Sequence, residues 1–337
     1  MKIIVDAMGG DNAPDAVVLG AKNAVEDSDV NVTLVGRVED ILRAYERNDI
    51  KDIPERIEIV NATEEILIDD DPATAIREKS DSSLTVGLRL LRDGHGDAFV
   101  SAGSTGAILS GATLIVKRVR GIRRAALAPV IPNAEGRFVL IDCGANAECT
   151  PEFLLQFAFM GSFYAQNVLG ISSPKVGLLN NGAESSKGTQ LQVETFKLLE
   201  NANAQNELNF VGNVEAVEAM NGACDVLVCD GFTGNIFLKT VEGTAKLIMK
   251  ELKGVFMSSL LTKVSALIVK KRMKGLKNKL SAESVGGTAL LGISKPVIKA
   301  HGSSNEVAIQ NAIKQAVAEV NSSVATKLSE NMDKMKF

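Results

Sequence analysis

Five short stretches of this chain combine glycine with small polar or acidic residues: "VDAMGGDNAPDA" from residue 5, "VSAGSTGA" from 100, "IDCGANAECTPE" from 141, "LLNNGAESSKGT" from 178 and "VCDGFTGN" from 228. Residues of these types suit the binding of an anion or a carbonyl oxygen. Glycine lets backbone amides approach a ligand closely, and helix N-termini favour negative charge. One such stretch is most simply a tight strand-to-helix turn. Five together point to a shared site.

The loops do not spell a nucleotide signature. Gly94-His95-Gly96 begins G-x-G-x-x-G, but Phe99 stands where the third glycine belongs. Gly182–Thr189, "GAESSKGT", has Lys187 and Gly188 in the reverse of the Walker A order. "AGSTG" around Ser104 loosely resembles a nucleophile elbow, with Asp230 and His301 following in hydrolase order. Ala102 replaces the flanking glycine, so a phosphate-contacting or structural Ser104 is the better reading. With His95 and His301 as the only histidines, and no CxxC among Cys143, Cys149, Cys224 and Cys229, no metal site or disulfide framework is expected.

The elements that must position these loops read as an α/β fold. Strands are expected at Lys2–Asp6, Val32–Val35, Ile57–Val60, Ala98–Ser101, Arg137–Asp142, Lys175–Leu179, Asn209–Val211 and Asp225–Cys229. Helical periods lie between most of them, which argues for a mainly parallel sheet. Ligands in such sheets bind beyond the carboxyl ends of strands, where the five loops fall. Residues 1–337 read as one two-lobed unit with a helical excursion near 239–283. Phe153–Pro174 carries no charge, but Gln156, Gln166 and Asn167 interrupt it. Thr150 as cap and Pro151 in the first turn mark it as a buried helix rather than a membrane span.

Composition narrows the class. The chain has 337 residues, 45% hydrophobic and 23% charged, with a net charge of −4 and no tryptophan. It is globular, and a nucleic-acid partner is not expected. The start, "MKIIVDAMGG", reads as a strand without a signal-peptide core, so a cytoplasmic location is expected.

One segment stands apart. Gly254–Leu280 carries seven Lys or Arg and no Asp or Glu. Leu247, Ile248, Leu252, Val255 and Phe256 form one helical stripe, and Val269, Met273, Leu276 and Leu280 another, with a break near Ser258–Ser259. This reads as a helical hairpin that packs across a dimer interface. Its apex, Val255, Phe256, Met257, Leu260 and Leu261, sits where polar residues are usual, and is expected to touch an anionic membrane surface.

Taken together, "DAMGGDNAP", "DAFVSAGSTGA", "ALAPVIP", "DCGANAECTPEFLLQFAFMGS", "CDGFTGN" and "IKAHGSS" resemble the phosphate acyltransferases of the PlsX family, from residue 3 to about residue 320. Four places depart from the family pattern. Ser104 replaces the Asn of SAGNTGA, and Ala125 the first proline of RPALAP. "GGTALLG" stands for GGAPLLG at 286–292, and "GNVEAVE" for GNIEGRD at 212–218. The resemblance implies a three-layer α/β/α sandwich of the isocitrate and isopropylmalate dehydrogenase type, also seen in phosphotransacetylases, and a homodimer. It implies transfer of a fatty acyl group from acyl carrier protein to inorganic phosphate, for bacterial phospholipid synthesis.

Under that resemblance the phosphate and acyl group are expected at Asp6, Gly9, Gly10, Asp11, Asn12, Ser101, Gly103, Ser104, Thr105, Asn146, Asn180 and Asp230. The aspartates would fix loops rather than touch phosphate, which they would repel. Catalytic roles fall to Lys187 (electrostatic stabilisation or protonation of the sulfur), Asn235 (oxyanion donor) and His301 (phosphate orientation or proton transfer). The exchange of a thioester for an acyl phosphate needs no cofactor or metal. Arg118, Arg120, Arg123 and Arg124 in "KRVRGIRR" offer a dock for an acidic carrier protein. The enzyme is expected at the inner face of the cytoplasmic membrane, held peripherally.

Overall fold

The computed structural model describes residues 1–280 and 286–335, apart from the side chains of 260, 271, 274 and 276–280. Two mixed sheets form two lobes. The first has the order β3-β2-β1-β4-β12-β11-β5 and the second β6-β7-β10-β8-β9. Their strands are β1 (Lys2–Asp6), β2 (Asn31–Gly36), β3 (Ile57–Asn61), β4 (Ala98–Ser101), β5 (Ala126–Ala128), β6 (Val130–Pro132), β7 (Arg137–Ile141), β8 (Lys175–Leu179), β9 (Asn209–Val214), β10 (Val226–Val228), β11 (Gly287–Leu291) and β12 (Val297–Ala300).

Helices cover both faces: α1 (Asp15–Asp27), α2 (Val38–Arg47), α3 (Ala75–Glu78), α4 (Ser83–Arg92), α5 (Thr105–Gly111), α6 (Pro151–Asn167), α7 (Gln190–Ala204), α8 (Ala216–Met220), α9 (Gly231–Met257), α10 (Leu260–Leu280), α11 (Glu306–Ser322) and α12 (Val324–Glu330). Successive strand residues feed opposite faces, as period-two geometry requires. Ile3, Val5, Val139 and Ile141 join one apolar cluster with α1, α6 and α11. Ile4, Phe138 and Leu140 join the other, with α4, α5 and the start of α9. Strands buried on both faces are nearly all apolar, so they read as continuous runs rather than alternations.

All eight expected strands are present. Four strands escaped expectation: β5 and β6, of three residues each, and β11 and β12, which lie between β4 and β5 in the first sheet. β11 runs antiparallel to both β12 and β5, and β6 antiparallel to β7. Only Pro129 separates β5 from β6, so the chain crosses between lobes at that point.

The expected buried helix is α6, but it ends at Asn167, before Pro174, and Thr150 makes no side-chain cap bond. Among the described residues no helix is long and apolar enough to cross a membrane. The expected helical excursion starts at Gly231, well before residue 239. α9 and α10 pack on one another around Ser258–Ser259. At their junction Val255, Met257 and Leu261 are 62%, 55% and 82% exposed, whereas Phe256 is half-buried. The side chains of Leu260, Leu276 and Leu280, and residues 281–283, lie outside the described set.

Candidate active site

β1, β4 and β12 are neighbours in the first sheet, so the loops after Asp6, Ser101 and Ala300 lie side by side. A buried pair holds two of them together. Asp6 accepts from Ser101 Oγ at 2.7 Å and from the Met8 N–H at 3.1 Å, and Ser101 Oγ accepts from the Gly103 N–H at 3.0 Å. Burial pushes the Asp6 pKa up against the pull of these bonds. Gly9 sits so close that a Cβ there would lie 2.6 Å from Asp6 Oδ2. Gly10 takes a φ of 103°, open to glycine at little cost. The third loop is tied in by Asp11, whose N–H donates to Gly302 O at 2.8 Å, and by Asn12, whose amide donates to Ser303 O and Ser304 O at 3.2 and 3.1 Å.

The second lobe supplies the opposite wall. Asp142 is buried and accepts from the N–H groups of Leu127, Cys143, Ala145 and Asn146 and from the Asn146 side chain, which also donates to Ala125 O. Burial raises the Asp142 pKa as well. Asp230 caps α9, accepting from the Thr233 N–H at 2.8 Å and from its hydroxyl at 2.7 Å. Asp6, Asp142 and Asp230 thus have their oxygens engaged in holding loops. So does Asn180, which donates to Lys187 O and accepts from the Asn181 N–H. A Cβ on Gly234 would lie 2.0 Å from Asp142 O, so glycine lets the first turn of α9 rest on the β7 loop. This contact brings Asn235 beside Gly144.

Between the walls lies a cavity of about 310 Å³, lined by Thr105, Cys143, Gly144, Asn235, Lys239, Glu242, Lys299 and His301 among others. It brings together Asn235 and His301, two of the three catalytic candidates, with the predicted binding residue Thr105. Lys187 is not part of it. That side chain is exposed on the loop after β8, whose Asn180, Gly188 and Thr189 border a separate apolar groove. The cations that line the cavity are Lys239 and Lys299, neither of which the sequence reading singled out. A signal for both was present. Asn235, Lys239 and Glu242 recur at one-face helical spacing, and Lys299 is two residues before His301 on a strand.

Electrostatics sort these groups. Partial burial pushes Lys299 below the usual lysine value, with Lys239 acting in the same direction. His301 is also pushed down, first by desolvation and then by Lys299 and Lys239. Its Nδ1 lies 3.3 Å from the Ser303 N–H and 3.0 Å from the Ser303 hydroxyl, so Ser303 holds that edge of the ring. Lys239 pairs with Glu242 at 2.9 Å. Burial drives the Cys143 thiol up to about 12, so it is a poor nucleophile near neutrality. Ser104 precedes α5 without a side-chain cap bond. Among the described residues no group of three or more His, Cys, Asp or Glu is placed to hold a metal ion.

The "KRVRGIRR" segment leads into β5, whose Leu127 lines the cavity. Arg118, Arg120, Arg123 and Arg124 are all exposed. Arg118 also donates to Arg123 O, and Arg124 lies over the Phe153 ring, 5.5 Å from its centroid.

Known proteins share this chain's pattern over its whole length. The family profile described as "Fatty acid synthesis protein" matches residues 1–327. A phosphate acyltransferase of Brevibacillus brevis is 48% identical over 337 residues, covering 99% of this chain and 98% of that protein. One of Alkaliphilus oremlandii is 46% identical over 339 residues, with 99% and 98% covered. Among solved structures, a phosphotransacetylase from Streptococcus pyogenes aligns with a TM-score of 0.62 at 18% identity, covering 94% of each chain. The EutD phosphotransacetylase from Staphylococcus aureus gives 0.61 at 18% identity, with the same coverage. These structures speak for the fold alone; the sequence matches go further, and by them the chain belongs to the phosphate acyltransferase family and is an acyltransferase.

Proposed function

We propose that the enzyme moves a fatty acyl group from the thioester of acyl carrier protein to inorganic phosphate, giving acyl phosphate for phospholipid synthesis. The observation that carries this reading is the cavity joining Asn235, Lys239, Lys299 and His301 beneath glycine-rich loops. It offers cations and neutral donors, which suit an anionic nucleophile and a developing oxyanion.

Phosphate sits at the N-terminus of α5, against the amides of Ser104–Gly106, with Thr105, Lys299 and the Nε2–H of His301 as further donors. One phosphate oxygen attacks the thioester carbonyl carbon. A C–O bond forms, the C–S bond breaks, and the proton lost by monohydrogen phosphate balances the one the departing thiolate gains. The Asn235 amide donates to the carbonyl oxygen as its charge grows. Lys299, with its lowered pKa, is suited to pass a proton to sulfur. Lys187, outside the cavity of its own chain, takes part through a second chain of a homodimer.

The fold-family reading, of the isocitrate dehydrogenase type, belongs to the same proposal. So do carrier docking on Arg118, Arg120, Arg123 and Arg124 and membrane contact through the junction of α9 and α10. Exposure of those arginines and of Val255, Met257 and Leu261 supports both surfaces. The deciding experiment incubates palmitoyl carrier protein with the purified enzyme, with and without phosphate, and detects acyl phosphate. A wild-type enzyme that makes no phosphate-dependent product overturns the proposal.

A further inference from the structure

One side chain in the catalytic cavity runs against the chemistry of an anion site. Asp6, Asp142 and Asp230 commit their oxygens to the N–H and hydroxyl groups of their own loops. Glu242 does not. It lines the cavity with Thr105, Lys299 and His301. Among the described residues its hydrogen-bond partner is Lys239, which donates to Oε2 at 2.9 Å and leaves Oε1 without a donor from the protein.

The pair is asymmetric. The glutamate side chain is 18% exposed and the lysine side chain 54%. The anionic member is the more enclosed, the reverse of what a cavity that only gathers negative charge would need. Lys239 and Glu242 stand three residues apart on α9, across the cavity from Lys299 and His301. The Glu242 charge reaches both of those residues, where it opposes the loss of their protons.

A carboxylate accepts hydrogen bonds and donates none. Beside an anion without protons it only repels. Beside an anion that keeps a proton it accepts a charge-assisted hydrogen bond. Near neutrality inorganic phosphate keeps a proton on one oxygen. Sulfate, with the same tetrahedral shape and the same double negative charge, keeps none. Lys239 and Lys299 attract the two ions alike, whereas a carboxylate tells them apart. We propose that Glu242 selects phosphate, its Oε1 accepting from the P–OH of monohydrogen phosphate while Lys239 holds the carboxylate through Oε2; this rests on the acyl-transfer reading above. The bond rejects anions that carry no proton. It also turns the unprotonated oxygens, which are the nucleophilic ones, away from Glu242 and toward Thr105, Lys299 and the thioester.

Calorimetric titration of the purified enzyme with inorganic phosphate, arsenate, sulfate and fluorophosphate tests this without turnover. Arsenate keeps a proton as phosphate does; sulfate and fluorophosphate do not. The wild type should bind arsenate within about tenfold of phosphate, and the two unprotonated ions at least about 100-fold more weakly, because a site built to bond an OH group rejects the analogue without it. Sulfate bound within about tenfold of phosphate overturns the proposal, whether or not any variant folds. In Glu242→Gln the carboxamide can donate to sulfate and the repulsion is gone, so the phosphate-to-sulfate affinity ratio should fall at least about tenfold. An unchanged ratio in folded Glu242→Gln overturns the proposal as well. Lys299→Met removes a cation from the opposite wall and should weaken both ions alike, leaving the ratio within about threefold of wild type. Collapse of the ratio in that variant would assign the selection to the cations and not to Glu242. Failure of the acyl-transfer reading shows separately, as wild-type enzyme without phosphate-dependent product, and leaves the binding ratios measurable.

Discussion

The backbone N–H of Ser303 donates to Nδ1 of His301 over 3.3 Å, and the Ser303 hydroxyl lies 3.0 Å from the same nitrogen. Burial makes a second proton on the ring unfavourable, and nearby Lys299 and Lys239 add to this. His301 therefore titrates below its usual 6.5. It is neutral at pH 7, and the folded state takes up its proton only at lower pH than the unfolded chain does. The sign for stability follows: its contribution is present above 6.5 and is lost as pH falls toward the folded value. NMR titration of the histidine Cε1–H signals checks this directly. Lys299→Met removes a cation and should move the His301 midpoint upward; a midpoint unmoved or lower contradicts the assigned coupling.

Asn235→Ala should lower kcat by about 10²–10³, the usual loss for one oxyanion donor, with the melting temperature close to wild type. Steady-state kinetics and thermal unfolding together read this. A near-normal kcat removes Asn235 from the chemistry. Lys187 calls for a different design, because its own chain's cavity does not contain it. Lys187→Ala and Asn235→Ala subunits should each be weak alone. Mixed and allowed to exchange, they should regain activity if one subunit's lysine serves its partner's site. No recovery in verified mixed dimers assigns Lys187 no such role.

Much of this architecture was legible in the sequence because parallel, doubly buried strands are written in long apolar runs. "KIIVD" and "NVTLVG" leave little choice. β5 and β6 were not legible, since three-residue strands flanking Pro129 look like an extended loop, and their pairing depends on residues distant in sequence. The site was half legible for a related reason. Asn235 and His301 sit in short motifs rich in glycine and small polar residues that announce themselves. Lys239 and Lys299 sit within a helix and a strand, where a lysine ordinarily means a solvated face. Only the fold shows that those two faces look at each other across one cavity. Lys187 is the opposite case, a lysine in a suggestive glycine loop that the β8 connection keeps off its own chain's cavity.

Glu319 offers a stability prediction independent of catalysis. Its carboxyl is buried, Oε2 has no hydrogen-bond partner, and desolvation pushes the pKa up to about 8. The folded state thus keeps a proton that the unfolded chain releases near 4.5. Stability from this group is full below 4.5 and falls by about 1.4 kcal/mol per pH unit until the folded pKa is passed. Urea unfolding from pH 5 to 9 should show that decline in the wild type. In Glu319→Gln, which keeps the shape without the titration, the decline should flatten, leaving the variant the more stable of the two at pH 9. Parallel profiles would mean that Glu319 ionises in the folded state as freely as in water.

Two glycines of α9 separate positioning from helix propensity. At Gly234 a Cβ would meet the Asp142 carbonyl oxygen at 2.0 Å, a backbone atom with little room to yield. At Gly243, on the same helix, nothing lies within 4 Å. Gly243→Ala should leave activity intact and stabilise by up to about 1 kcal/mol, the ordinary gain of alanine over glycine in a helix. Gly234→Ala should gain nothing from propensity, because lifting α9 off the β7 loop costs about 1–3 kcal/mol of overpacking. It should also shift the adjacent Asn235, so kcat should fall together with the melting temperature. Equal melting temperatures and rates for the two variants would show that the β7 loop moves freely, and that close packing at Gly234 does not set the position of Asn235.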